Sequence, residues 1–156
     1  MANITVGGVT YELPDESMAG KTTLYTAALQ ALASLLGDGA VWTAWTPTIT
    51  SGTGTITTLG TVVAKYIKIG KLVVFRLKIP ITTNGTAATY IKATLPVTPI
   101  ASTDFAFNGR ETGLTSKSLS VYYSSSLSGI VIQLYDATYP GGTGAVLLIS
   151  GSYEAA

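Results

Sequence analysis

The sequence predicts a mainly β protein. Its body reads as an antiparallel β-sandwich or jelly-roll-like domain, preceded by a β-hairpin and one short α-helix. Charged residues make up only 11% of the 156 positions, against about 25% in an average domain. Thr, Ser and Gly supply the missing polarity, a mixture that suits pleated strands and tight turns. Only one segment has helical spacing; the others alternate apolar and polar residues between turns rich in Gly, Ser, Pro and Asn.

Residues 1–40 are predicted to be an N-terminal unit. In NITVGGVTYEL, two alternating runs flank Gly7-Gly8, which is a β-hairpin signal. Because a lone hairpin is marginal in water, this one is expected to pack either on a partner surface or on its own domain. A helix is predicted over 15–36, capped by Asp15 or Ser17 and ended by Gly37.

This helix carries a heptad seam with four, three, four spacing, formed by Tyr25, Leu29, Leu32 and Leu36. The seam favours packing against the same helix of other copies, in a bundle. A single amphipathic helix packed on the body is the alternative. Since the seam is short, it is expected to align subunits that a larger domain also holds together.

Residues 41–156 are predicted to be the β domain. Candidate strands are 46–50, 54–58, 61–69, 71–81, 87–95, 103–108, 118–123, 129–135 and 145–154. In YIKIGKLVVFRLKI, Val73, Phe75 and Leu77 alternate with Val74, Arg76 and Lys78. One face of this strand is therefore expected in the core, and the other in water or against a neighbour.

Composition argues against enzyme chemistry. There is no Cys and no His, which removes thiolate chemistry, the commonest general base and the commonest metal ligand. No GxSxG or GxxxxGK[ST] motif occurs, and SGTGT (51–55) and GGTG (141–144) read as hairpin turns. Four carboxylates could pair in space without a spacing that suggests it: Asp104, Glu111, Asp136 and Glu154. No catalytic residue, cofactor or metal is expected.

Net charge is +1, with an acidic N-terminal unit and a mildly basic β domain. No nucleic-acid partner is expected from so weak a field. The longest apolar stretch, TAALQALASLLG, is too short for membrane insertion. MANITVGG lacks the pattern of a secretory signal.

Aromatic and polar residues near predicted loops form a candidate glycan-binding set, since rings stack on sugars and polar groups bond their hydroxyls. Its members are Tyr122, Tyr123, Tyr135, Asp136, Tyr139, Asn108 and Arg110. The alternative for each tyrosine is ordinary packing in the core or at an interface.

Residues 42–96 resemble the distal β domain of bacteriophage fibre and spike proteins. The shared pattern is an aromatic, TPT-I-T-SG-G-I, then Y-x-K-I-G-K. It is matched here by Trp45, Pro47, Ile49, Gly52, Gly54, Tyr66, Lys68, Ile69, Gly70 and Lys71. The closing LLISGSYEAA is similar to the last strand of such domains.

The resemblance implies a homotrimeric virion protein on the capsid surface or tail. Residues 1–15 would contact other virion proteins, and the β domain would attach to host-surface glycans. The chain lacks an extended shaft, which favours a short head fibre, a spike or a tail-tip module. A capsid decoration protein without receptor binding and a bacterial lectin-like adhesin remain alternatives.

Overall fold

The computed structural model describes residues 3–6, 9–12, 26–27, 29–30, 32, 41–101 and 104–156. The chain divides into two compact units, Met1–Val41 and Trp42–Ala156. The predicted mainly β, antiparallel class is confirmed, since each pair of neighbouring strands in the described residues is antiparallel.

The first unit contains the predicted hairpin. Strands β1 (Asn3–Val6) and β2 (Val9–Glu12) pair with Val6 opposite Val9. Within the predicted helix, the residues described are helical: Thr26, Ala27, Leu29, Gln30 and Leu32. The remainder of 15–36, including Tyr25 and Leu36 of the seam, lies outside the described residues.

The described residues of the second unit form ten strands. They are β3 (Thr43–Ala44), β4 (Ile49–Thr53), β5 (Thr58–Leu59), β6 (Val63–Ile69), β7 (Leu72–Thr83), β8 (Ala88–Ala93), β9 (Ala106–Glu111), β10 (Ser118–Ser124), β11 (Gly129–Leu134) and β12 (Val146–Glu154). The order across the sheet is β3-β6-β7-β12-β9-β10-β11-β8-β4, and β5 pairs with β7.

The two ends of this sheet are joined by one short stretch of chain. Strands β3 and β4 lie at opposite ends of the strand order, yet only residues 45–48 separate them. The Trp45 amide donates to the carbonyl of Ala64 in β6 at 3.1 Å, and the amide of Thr94, just after β8, donates to the Thr48 carbonyl at 3.1 Å. The sheet must therefore curl until its ends approach, in keeping with the twist of antiparallel strands.

One face of the curled sheet encloses the core. Along β7, Val73, Phe75, Leu77, Ile79 and Ile81 are buried, and the residues between them are exposed or half-buried. The predicted alternation of this strand is thus confirmed. We call the side of the sheet opposite the core the outer face.

The prediction of two strands at 46–50 and 54–58 around a turn is wrong. One strand, β4, runs as far as Thr53 and pairs with β8, with a register shift between Ser51 and Thr53. The backbone turns afterwards at Gly54, where φ is +69°. The segment beyond bonds to the β7–β8 turn instead: the Thr86 amide donates to the Thr55 carbonyl at 3.2 Å. SGTGT is therefore not a hairpin turn, because β4 and β5 pair with different strands.

Candidate functional site

The structure does not gather the seven candidate glycan-binding residues into one place. Tyr123 is half-buried and packs edge-on against Phe105, with ring centroids 6.4 Å apart. Tyr139 is half-buried as well, and its hydroxyl donates to Asn84 Oδ1 at 2.7 Å. Both side chains support the core, so neither offers a free ring face.

Tyr135 and Asp136 lie in the turn after β11. Lys117 Nζ lies 3.4 Å from Asp136 Oδ2 and 5.6 Å from the Tyr135 ring centroid. The Thr138 hydroxyl donates to Asp136 Oδ1 at 2.5 Å, and this bond, ahead of the charge of Lys117, lowers the pKa of Asp136. Because the Asp136 carboxylate already interacts with Thr138 and Lys117, it mainly stabilises the turn.

Asn108 and Arg110 lie elsewhere, on the outer face of β9, where both are exposed. They line an open groove of about 690 Å³. Strand β7 contributes Arg76 and Lys78 to this groove, and β12 contributes Leu148 and Ser150; Val63 of β6 completes one side. We call this feature the cationic groove.

Strand register places the groove side chains in two adjacent rows. In one row, Leu148 of β12 lies between Lys78 and Arg110. In the next row, Ser150 lies between Arg76 and Asn108. A small serine flanked by longer side chains makes the surface concave there, so β12 forms the floor and β7 and β9 form the walls.

The charge of the groove is positive and unbalanced. Among the described residues, no carboxylate lines it, and their one ion pair, Lys117–Asp136, lies outside it. Lys65 of β6 is directly opposite Arg76 and adds a further cation beside one wall. Like charges directly opposite each other on neighbouring strands are destabilising.

Arg76 is held from one side by an aromatic ring. Its guanidinium carbon lies 4.6 Å from the Trp42 ring centroid, within the range of a cation–π contact. Two apolar side chains of the groove, Val63 and Leu148, are each 41% exposed. Tyr122, the remaining glycan-binding candidate, is 43% exposed on the neighbouring strand β10. The outer face thus combines cations with accessible apolar surface.

Glu111, one of the four carboxylates that could have paired, is fully buried. Both of its oxygens accept several hydrogen bonds, from the amides of Gly113 (2.5 Å), Thr115 (2.5 Å) and Val146 (3.2 Å) among others. Burial alone raises its pKa, but the bonds from Thr115, Val146 and Leu114 outweigh burial and lower the pKa to about 2. Such a carboxylate organises the 112–117 loop and is a poor proton donor or acceptor at neutral pH.

Sequence reasoning did not place Arg76, Lys78 or Leu148 in a site. The alternation of 71–81 predicted that Arg76 and Lys78 lie on the face opposite the core, and this pattern could have identified them as candidate binding residues. Arg110 lies beside Leu148 because β9 pairs with β12. These strands are distant in the chain, so no local sequence pattern predicts their register.

Among the residues described, no three side chains of metal-ligating type are grouped, and no helix there is long and apolar enough to cross a membrane. No protein-family model matches this chain, and neither a curated protein nor a solved structure matches it.

Proposed function

We propose that this chain is a bacteriophage virion protein: a homotrimeric head fibre, or a tail fibre or spike, whose β domain attaches to host-surface glycans. The observation that carries the proposal is the open groove on the outer face. It presents polar, charged and apolar side chains on strands whose opposite face is buried. Rigid strands can hold binding groups in place without any catalytic group among them.

The resemblance over 42–96 supports the virion assignment, and its residues occupy structural positions. Gly70 takes φ of +58° in the β6–β7 turn. Trp45 and Tyr66 pack edge-on with centroids 6.1 Å apart. These residues would specify a distal domain scaffold, while residues 1–15 would contact other virion proteins.

Within this proposal, the curled sheet is a β-sandwich or jelly-roll-like fold. A single cluster of buried side chains includes Ile79 of β7 and Ile132 of β11, four positions apart in strand order. A shared core between such distant strands supports two layers facing each other. An experimental structure with these strands side by side in one open layer would overturn it.

Trimerisation is proposed to use the helical seam. Leu29 and Leu32 are 42% and 49% exposed, and Tyr25 and Leu36 extend their spacing in the sequence. Exposed leucines at heptad spacing are buried when helices associate. The trimeric bundle therefore explains the spacing and the exposure together.

Sedimentation equilibrium at micromolar concentration tests this assembly. The expected mass is three times that of the 16.1 kDa chain, and a stable monomer would contradict the proposal. The double substitution Leu29→Gln/Leu32→Gln should weaken the trimer. The control Gln30→Ala, which changes an exposed helical residue off the seam, should leave the mass unchanged.

Attachment is tested separately by applying the labelled protein to a glycan array. Binding to a defined set of glycans is expected. A trimer that binds none of them would favour a capsid decoration protein over an attachment protein.

A further inference from the structure

We infer that the cationic groove binds a negatively charged saccharide, with Arg76 and Arg110 pairing with its carboxylate groups. This inference rests on the proposed attachment function and specifies its ligand class. It is carried by the groove's shape, by its unpaired cations and by the polar groups on its floor.

The geometry suits a carboxylated sugar. Strands β7 and β9 flank β12, and two strand spacings separate the walls by about 10 Å. A guanidinium therefore stands on each side of a floor formed by Ser150 and Leu148. Arginine can bind a carboxylate through two parallel hydrogen bonds. The Ser150 hydroxyl and the Asn108 amide can bond sugar hydroxyls, and Leu148 can contact a C–H face.

Among the described residues, no carboxylate is paired with the groove cations. Lys65 and Arg76 are directly opposite each other, an arrangement that costs free energy. Lys78 and Arg110 are exposed and have no carboxylate in the groove to pair with. A bound anion would relieve this repulsion, so charge complementarity defines the occupant.

Trp42 prepares one wall for binding. Its ring lies 4.6 Å from the guanidinium carbon of Arg76 and restricts the positions of a long, flexible side chain. A side chain ordered before binding loses less entropy when the ligand arrives. Trp42 is therefore a positioning residue for Arg76.

Other occupants fit less well. A second copy placing the same face against this one would oppose cations with cations. Another face of a second copy's β domain would need carboxylates to pair with the groove cations. In the Trp42–Ala156 unit, the described exposed carboxylates are Asp104, Asp136 and Glu154, and Asp136 is already paired with Lys117. A nucleic acid would find no row of stacking rings, because the described lining residues include no aromatic side chain and the nearby Trp42 ring already contacts Arg76.

Calorimetric titration of the full chain with oligogalacturonate, a carboxylated saccharide, tests the inference. We expect binding that weakens as salt is raised and no binding of a neutral maltooligosaccharide. The double substitution Arg76→Gln/Arg110→Gln should weaken binding about tenfold or more. The control Lys68→Gln/Lys71→Gln removes the same charge from exposed positions outside the groove and should leave the affinity within about twofold.

The inference would be overturned if the maltooligosaccharide bound as tightly as oligogalacturonate, or if the lysine control lost as much affinity as the arginine variant. Tighter binding of an oligodeoxythymidylate than of oligogalacturonate would overturn it as well. Sedimentation of the same samples separates it from the proposed assembly. A lower mass for the arginine variant would show that this face contacts another copy, and would overturn it also. If the protein is a trimer but does not bind oligogalacturonate, the inferred groove ligand is contradicted and the proposed trimer is not. If the protein is a monomer and binds it, the proposed trimer is contradicted and the groove ligand is not.

Discussion

The indole nitrogen of Trp45 donates a hydrogen bond to the Thr94 carbonyl at 3.4 Å. The backbone amide of Trp45 donates to the carbonyl of Ala64 within β6, whereas Thr94 directly follows β8. One residue thus bonds to both ends of the curled sheet. Its ring also meets Phe75 edge-on, with centroids 6.2 Å apart, which couples the closure of the sheet to the core.

Truncating Trp45 should destabilise the β domain. Trp45→Ala is expected to lower the free energy of unfolding by about 3 kcal/mol, because buried ring contacts and the closing bond are both lost. Trp45→Phe keeps a ring and should cost up to about 1 kcal/mol. Chemical denaturation measures both. Trp42→Ala, at the more exposed tryptophan, should cost up to about 1 kcal/mol through the lost contact with Arg76; an equal loss at Trp42 would contradict this role for Trp45.

Glu111 should make stability depend on acid pH. Its pKa falls from 4.5 in its ordinary range to about 2 in the fold, so its contribution is complete above pH 4.5 and disappears as the pH falls toward 2. The shift corresponds to about 3 kcal/mol. Glu111→Gln should lose stability of that order at neutral pH and flatten the acid limb of the stability curve.

The control for this measurement is Glu154→Gln, which changes an exposed carboxylate in β12. Denaturation series between pH 2 and pH 7 should retain the acid limb in this variant. An acid limb unchanged by Glu111→Gln would show that other groups produce it.

Gly151 leaves room for an aromatic ring in the core. A methyl group at this position would lie 2.3 Å from Phe107 Cδ1. The Phe107 ring packs edge-on against Phe75, with ring centroids 5.1 Å apart. Gly151→Ala should therefore destabilise the domain by about 2 kcal/mol through overpacking. Ser152→Ala, at the adjacent exposed position, should be near neutral. Equal thermal midpoints for the two variants would contradict the packing argument.

Ala137 adopts a left-handed backbone conformation, with φ of +61°, in the turn after β11. Glycine has no Cβ to strain there, so Ala137→Gly should raise the free energy of unfolding by up to about 1 kcal/mol. Ala106→Gly is the matched control, because Ala106 is exposed within a strand and does not have positive φ. The Ala106→Gly variant should have a lower free energy of unfolding than the unmodified protein. If Ala106→Gly stabilised the domain and Ala137→Gly destabilised it, the strain assigned to Ala137 would be refuted.

Much of the strand content followed from local pattern. The alternation around Val73, Phe75 and Leu77 predicted both the long strand β7 and its buried face. The Gly7-Gly8 signal predicted the hairpin of β1 and β2. Local pattern failed at 51–55, because Gly and Thr allow either a turn or a strand, and pairing with β8 extends β4 through Thr53.

The candidate site was less accessible to sequence reasoning. Asn108 and Arg110 were named from composition, but so were Tyr123 and Tyr139, which the fold packs against its core. Whether a tyrosine in a strand faces the core or the solvent depends on register, and one shifted residue reverses it.

By itself, the sequence determined the β class, the alternation of buried and exposed positions and the lack of histidine and cysteine chemistry, since these depend on residue identity and on neighbours two positions away. Only the tertiary structure determined that β12 lies between β7 and β9, and hence that Arg76 and Arg110 share one groove. The reason is that strand order is set by which apolar faces can be buried together and which edges can pair. That free energy belongs to residues far apart in the chain, and no local segment carries it.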